Sequence, residues 1–202
     1  LDQRARTTAS LRSNPDRGFP GLGVKDWNII VTIYQEGFRR ALRALQDVGQ
    51  AERGPYHNVL VMKADDPMAV LESVERLTEE RPALYDAIAR VAPAMRAFDF
   101  SSAENFKDNA RSIVLEWLPS LAGKSFHARL HQRGPKLGLH TPDVERFLND
   151  VIIEATAKAG RPGRISFTDP DAVIVIDTVD DRAGLAMWAR EDIARHRLLR
   201  PD

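Results

Sequence analysis

Hydrophobic positions recur with two different periods along this chain, and the change from one to the other divides it into elements. "DWNIIVTIY" (26–34) is a β-branched and aromatic run that predicts a buried strand. "EGFRRALRALQDVG" then places Phe38, Ala41, Leu42, Leu45 and Val48 on one face of a helix that stops at Gly49. "AERGPYHN" suggests a short strand or bulge, and "NVLVMKA" another strand. "DPMAVLESVERLTEERPALYDAIARV" reads as helix, with Asp66 as N-cap, Pro67 at the first position and a break at Pro82. "PAMRAFDF" is expected to be the closing strand. This order over 26–100 matches the strand–helix–strand–strand–helix–strand arrangement of a ferredoxin-like domain.

The second half opens at "SSAENF", where Ser101 and Glu104 have capping-box spacing. Phe106, Ala110, Ile113, Val114, Trp117 and Leu121 form a helical apolar stripe. "KSFHARL" is a strand. Thr141 and Pro142 start a helix whose buried face is Val144, Phe147, Leu148, Val151, Ile152 and Ala155, ending at Gly160. "RISFTDPDAVIVIDTVDDRAGLAMWARE" predicts a short strand, an Asp-Pro-Asp turn and a β-hairpin around "VDDRAG", before a last basic helix. The expected fold is α+β: a ferredoxin-like domain at 26–100, then an α/β domain at 101–202. Residues 1–25 carry no periodicity and are expected to be a basic, mobile arm.

Composition narrows the function. The chain has 202 residues, 43% of them apolar and 29% charged, which suits a globular protein with a sizeable core. Its formal net charge is zero, so any polyanion site must come from local segregation of charge. Cysteine is absent, which excludes disulfides, thiolate metal sites and a cysteine nucleophile. No run is long enough to cross a membrane, and the N-terminus lacks the apolar stretch of a signal peptide. A cytoplasmic protein is expected.

One stretch concentrates chemistry. "KSFHARLHQRGPKLGLHTPD" (124–143) holds three of the five histidines, and no acidic residue occurs from Trp117 to Pro142. With a strand period of two, Phe126, Ala128 and Leu130 face the core, and His127, Arg129 and His131 face the other way, followed by Arg133 and Lys136 in a loop. His140 stands at the next helix N-terminus, where amide N–H groups favour an anion. A metal shared by His127 and His131 is disfavoured, because four strand residues separate their Cα atoms by about 13 Å. Ser125 near His127 lacks an elbow motif and a nearby acid. General acid–base work by His131 or His140 stays open, as does a plain solvated strand. A polyanion surface fits the acid-free run best, and "KAGRPGR" adds Lys158, Arg161 and Arg164 on a second loop.

Taken in order, the helical lead-in, "SFHARLHQRGPKLGLHTPDVERFLNDVII" and "ISFTDPDAVIVIDTVDDRAGLAMWARE" resemble a THUMP domain over roughly residues 101–190. Thr168-Asp169-Pro170-Asp171 stands where that family has an Asn-Pro-Asp-like turn. The resemblance implies tRNA binding near the acceptor stem and its single-stranded end, together with a preceding ferredoxin-like domain. By position, Arg129, Arg133 and Lys136 correspond to the family's basic RNA-facing part; His140, Arg161 and Arg164 are added on charge alone. No glycine-rich turn for a methyl donor and no pyrophosphate loop is found. The organisation is similar to stand-alone THUMP proteins that present tRNA to a separate cytidine acetyltransferase. It implies a non-catalytic protein, without cofactor or metal, whose partners are tRNA and an RNA acetyltransferase or another tRNA-modifying enzyme. Charge reversal at Arg129 and Arg133 is expected to abolish tRNA binding and leave the fold intact. Tyr56 is a further candidate, for stacking on an end base. The alternative is an RNA-independent protein–protein interaction module, for which an exposed Trp188 would be the sign.

Overall fold

The computed structural model describes residues 25–135 and 137–201. Residues 1–24 of the expected N-terminal arm and Lys136 therefore lie outside the described residues. The first half runs β1 (Ile29–Ile33), α1 (Phe38–Gln46), β2 (Ala51–Arg53), β3 (Val59–Met62), α2 (Pro67–Glu80) and β4 (Ile88–Pro93). Its four strands form an antiparallel sheet in the order β2-β3-β1-β4. Asp66 caps α2 as its position suggests: its side chain accepts the N–H groups of Met68 and Ala69 at 3.0 and 3.1 Å. The helix ends at Glu80, ahead of Pro82, and "IARVAP" is the closing strand β4 rather than more helix. Ile88 and Val91 satisfy a helical spacing as well as a strand, and pairing along β1 decides for the strand.

"RAFD", expected to close the first sheet, belongs to the second. The second half comprises β5 (Arg96–Asp99), α3 (Ala103–Glu116), α4 (Leu118–Leu121), β6 (Ser125–Arg133), α5 (Thr141–Lys158), β7 (Arg164–Ile165), β8 (Ala172–Val179), β9 (Arg182–Ala189) and α6 (Arg190–Arg195). The sheet order is β5-β9-β8-β6-β7, with β6 parallel to both β7 and β8. The capping at α3 shifts by one residue: Ser102 Oγ accepts the Asn105 N–H at 3.1 Å, and Asn105 Oδ1 accepts the Ser101 N–H at 3.2 Å.

The two faces of the second sheet meet different partners. Phe126, Ala128, Leu130, Ile174, Ile176 and Leu185 pack under α3 and α5, as the alternation predicts. The opposite face, with Val173, Val175, Ala186 and Trp188, shares a core with the first half and with Leu198 and Leu199. The first sheet in turn buries Ile30, Val59, Val61 and Ala92 with Trp27 and Val179. The two sheets thus share buried clusters on their facing sides.

The outer edge of β6 is closed by side chains. Beyond the short β7, the Ala128 N–H donates to Asn149 Oδ1 at 2.9 Å and the Leu130 N–H to Glu145 Oε1 at 2.9 Å, both acceptors coming from α5. Backbone donors that would otherwise be orphaned are satisfied in this way.

Candidate nucleic-acid interface

The five described residues among those expected to meet RNA do not form one surface. Lys124 and Arg133 bracket β6, and nine residues of strand put its ends about 30 Å apart. Arg133 and His140 belong to one end; Arg161 and Arg164 belong to the other.

At the Arg133 end the cations are engaged within the protein. Arg133 donates to Asp177 Oδ1 at 3.0 Å and to Thr32 Oγ1 at 2.9 Å, joining β6 to β8 and to β1 of the first sheet. Arg90 of β4 binds the same carboxylate through both oxygens, at 2.7 and 2.8 Å, and donates its Nε–H to Leu199 O. Asp177 is buried at 4% exposure. Burial raises its pKa, but Arg90, His131 and Arg133 together outweigh burial and hold it below the usual carboxylate value. The Arg133 guanidinium, expected to face RNA, thus lies in the seam between the two sheets. Arg133→Glu would set a carboxylate against buried Asp177.

The histidines also serve the fold. His127 is buried, with Nδ1 2.8 Å from Ser166 O. His131 Nε2 lies 2.8 Å from Pro201 O, and burial lowers its pKa. His140 is exposed at the N-cap of α5 and pairs with Asp143, at 3.3 Å, in the first turn. A carboxylate of the chain itself thus already sits at the helix end where an anion was expected. Arg129 is exposed in the middle of β6. Tyr56 is half-buried; its hydroxyl bonds Asp180, and burial followed by that contact pushes the phenol up to about 12. Trp188, at 3% exposure, is a core residue and offers no docking surface.

The other end of β6 collects cations on a built surface. The segment after α5 is stitched to the start of the strand: the Gly123 N–H bonds Arg161 O at 2.9 Å, and the Arg164 N–H bonds Lys124 O at 3.0 Å. Gly163 permits this approach, since a Cβ there would lie 2.7 Å from the Phe126 ring and 3.1 Å from Lys124 O. Thr156 Oγ1 anchors the loop by accepting the Gly163 N–H at 3.0 Å. Lys124, Arg161 and Arg164 are exposed there.

The nearby acids are held by the chain. Asp171 Oδ2 accepts from the Ser125 N–H and hydroxyl at 2.8 and 2.7 Å, bonds that lower its pKa. Arg190 meets the Asp169 carboxylate at 3.0 Å and the Asp171 carboxylate at 3.1 Å, and donates to the carbonyl of Asp169 at 2.8 Å. Beside this turn stands Phe167, 71% exposed, the most exposed large hydrophobic residue described. Sequence reasoning left out Lys124 and Phe167. Lys124 lies inside the acid-free run and could have been included; a phenylalanine after a short strand reads as core.

No family model matches the chain, and no curated protein does either. Solved structures do. PH1313 from Pyrococcus horikoshii, a THUMP-domain protein, aligns with a TM-score of 0.58 at 12% identity, over 79% of this chain and 53% of its own. A possible methylase from Clostridium difficile 630 aligns at 0.51 and 16% identity, over 80% of this chain and 40% of its own. A predicted N6-adenine-specific DNA methylase from Listeria monocytogenes aligns at 0.50 and 15% identity, with the same coverages. The chain spans about half the length of the first and two-fifths of the others. At these identities the likeness concerns fold, and the fold is THUMP-like.

Proposed function

We propose that this chain is a non-catalytic tRNA-binding protein that holds the acceptor-stem region and presents it to a separate modifying enzyme, such as a cytidine acetyltransferase, in the cytoplasm. On this reading residues 101–202 are the THUMP domain. The βαββαβ order of the preceding residues, with sheet order β2-β3-β1-β4, supports a ferredoxin-like domain before it. The observation that carries the binding role is the Lys124–Arg161–Arg164 cluster. Two loops are stitched together so that three cations share one end of a sheet, while Arg190 occupies the adjacent carboxylates. Phosphate recognition requires cations in excess of acids, and the net-neutral chain has achieved this locally. A binding role is also favoured by the engagement of His127, His131 and His140 in contacts of the fold.

The test is fluorescence anisotropy with a labelled tRNA acceptor-stem hairpin. Lys124→Glu combined with Arg164→Glu should weaken binding at least roughly tenfold. Loss of two phosphate contacts should lower the slope of log affinity against log salt by about 1.5. Unchanged affinity and slope in a folded double variant would refute the assignment.

A further inference from the structure

We propose that Phe167 is a fixed stacking platform for an unpaired nucleobase, so that the RNA recognised here enters as a single strand with its phosphates on Lys124, Arg161 and Arg164. This rests on the RNA-binding reading of the same surface and adds the side chain that would read the unpaired segment.

Phe167 projects 71% of its surface into solvent, forgoing most of the gain a phenyl ring obtains by burial. It is nevertheless held. One side of the ring rests on the His127 imidazole, with centroids 5.2 Å apart and planes at 38°. His127 is itself buried and tied through Nδ1 to Ser166 O. The backbone is fixed on both flanks: the Ser166 N–H bonds Phe126 O at 3.0 Å, and Ser166 Oγ donates to Thr168 O at 2.7 Å. Asp169, Pro170 and Asp171 follow directly and are gripped by Arg190. An aromatic face held from below and exposed above offers stacking area with little ordering left to do on binding.

The surroundings choose the occupant. Arg164 precedes Phe167 by three residues and bonds Lys124 O through its N–H, and Arg161 O accepts the N–H of Gly123, the residue before Lys124. An aromatic ring among cations suits a nucleobase with its phosphates. A base within a duplex keeps its faces stacked on its neighbours, whereas an unpaired base is free to turn a face to the ring. A peptide adding as a strand beside β6 is disfavoured, because Asn149 and Glu145 already occupy the donors of that edge.

The test compares two labelled RNA hairpins with the same stem, one blunt and one carrying a four-nucleotide 3′ overhang ending in a purine. Wild type should bind the overhang hairpin more tightly. Phe167→Ala should erase that preference, weakening the overhang complex roughly five- to hundredfold while leaving blunt-hairpin affinity unchanged. Phe167→Trp should preserve the preference and Phe167→Leu should not; circular dichroism checks that each variant is folded. If wild type binds both hairpins equally and Phe167→Ala changes neither, the platform is refuted while the cationic surface stands. If wild type binds neither hairpin, the RNA-binding reading fails and the platform with it.

Discussion

Asp177 shows how far one side chain can redirect a surface. A carboxylate beneath Arg90 and Arg133 compensates two guanidinium groups drawn from different sheets, and each donates to it at 3.0 Å or less. Removing one member of such a group leaves the others charged and unpaired, so Asp177→Ala should destabilise the protein by about 3–5 kcal/mol, read by urea denaturation. The sign with pH follows from the depressed carboxyl: its contribution is present above the unfolded value of about 3.9 and is lost as pH falls through the folded one. None of this was legible locally. Arg133 stands in an acid-free run, and its carboxylate arrives from a strand 44 positions away, inside a hydrophobic segment that reads as uniformly buried. Arg161 and Arg164 were reached on charge alone, and Lys124, in the same acid-free run as Arg133, was passed over because the loop that joins it lies some way downstream.

Among the elements, the C-terminal segment after α6 does more than its fraying basic pattern suggests. His196 pairs with Glu75 of α2 at 2.8 Å, the Leu198 N–H donates to the same carboxylate, and the Val91 N–H of β4 donates to Leu198 O. Pro201 O then meets His131. Burial keeps His131 below the ordinary histidine pKa, so the folded ring takes up its proton at a lower pH than the unfolded one. Stability should therefore decline as pH drops below about 6.5, the unfolded value. His131→Gln, which keeps a donor for Pro201 O, should flatten the dependence of Tm on pH between 7 and 5. The helices and the hairpin were readable from period and caps. β4 was not, since "IARVAP" carries both periods, and "RAFD" was legible as a strand but its sheet was not, because that sheet lies mostly downstream.

For the molecule as a whole, the shared interior matters more than the division into halves. Ile30, Val61 and Ala92 find cover in a cluster with Val179, and Gly184 lies so close to Trp27 and Ala94 that an added Cβ would be 3.0 and 2.8 Å from them. A fragment of residues 25–94 alone would expose that apolar sheet face. It should self-associate in sedimentation, whereas the full chain should unfold in one cooperative transition. The closed edge of β6 has a related effect between molecules. A long flat strand flanked by only a two-residue neighbour is an invitation to further strands, and Asn149 and Glu145 withdraw it. Another copy meeting this border therefore finds no free donor at Ala128 or Leu130 from which to extend the sheet.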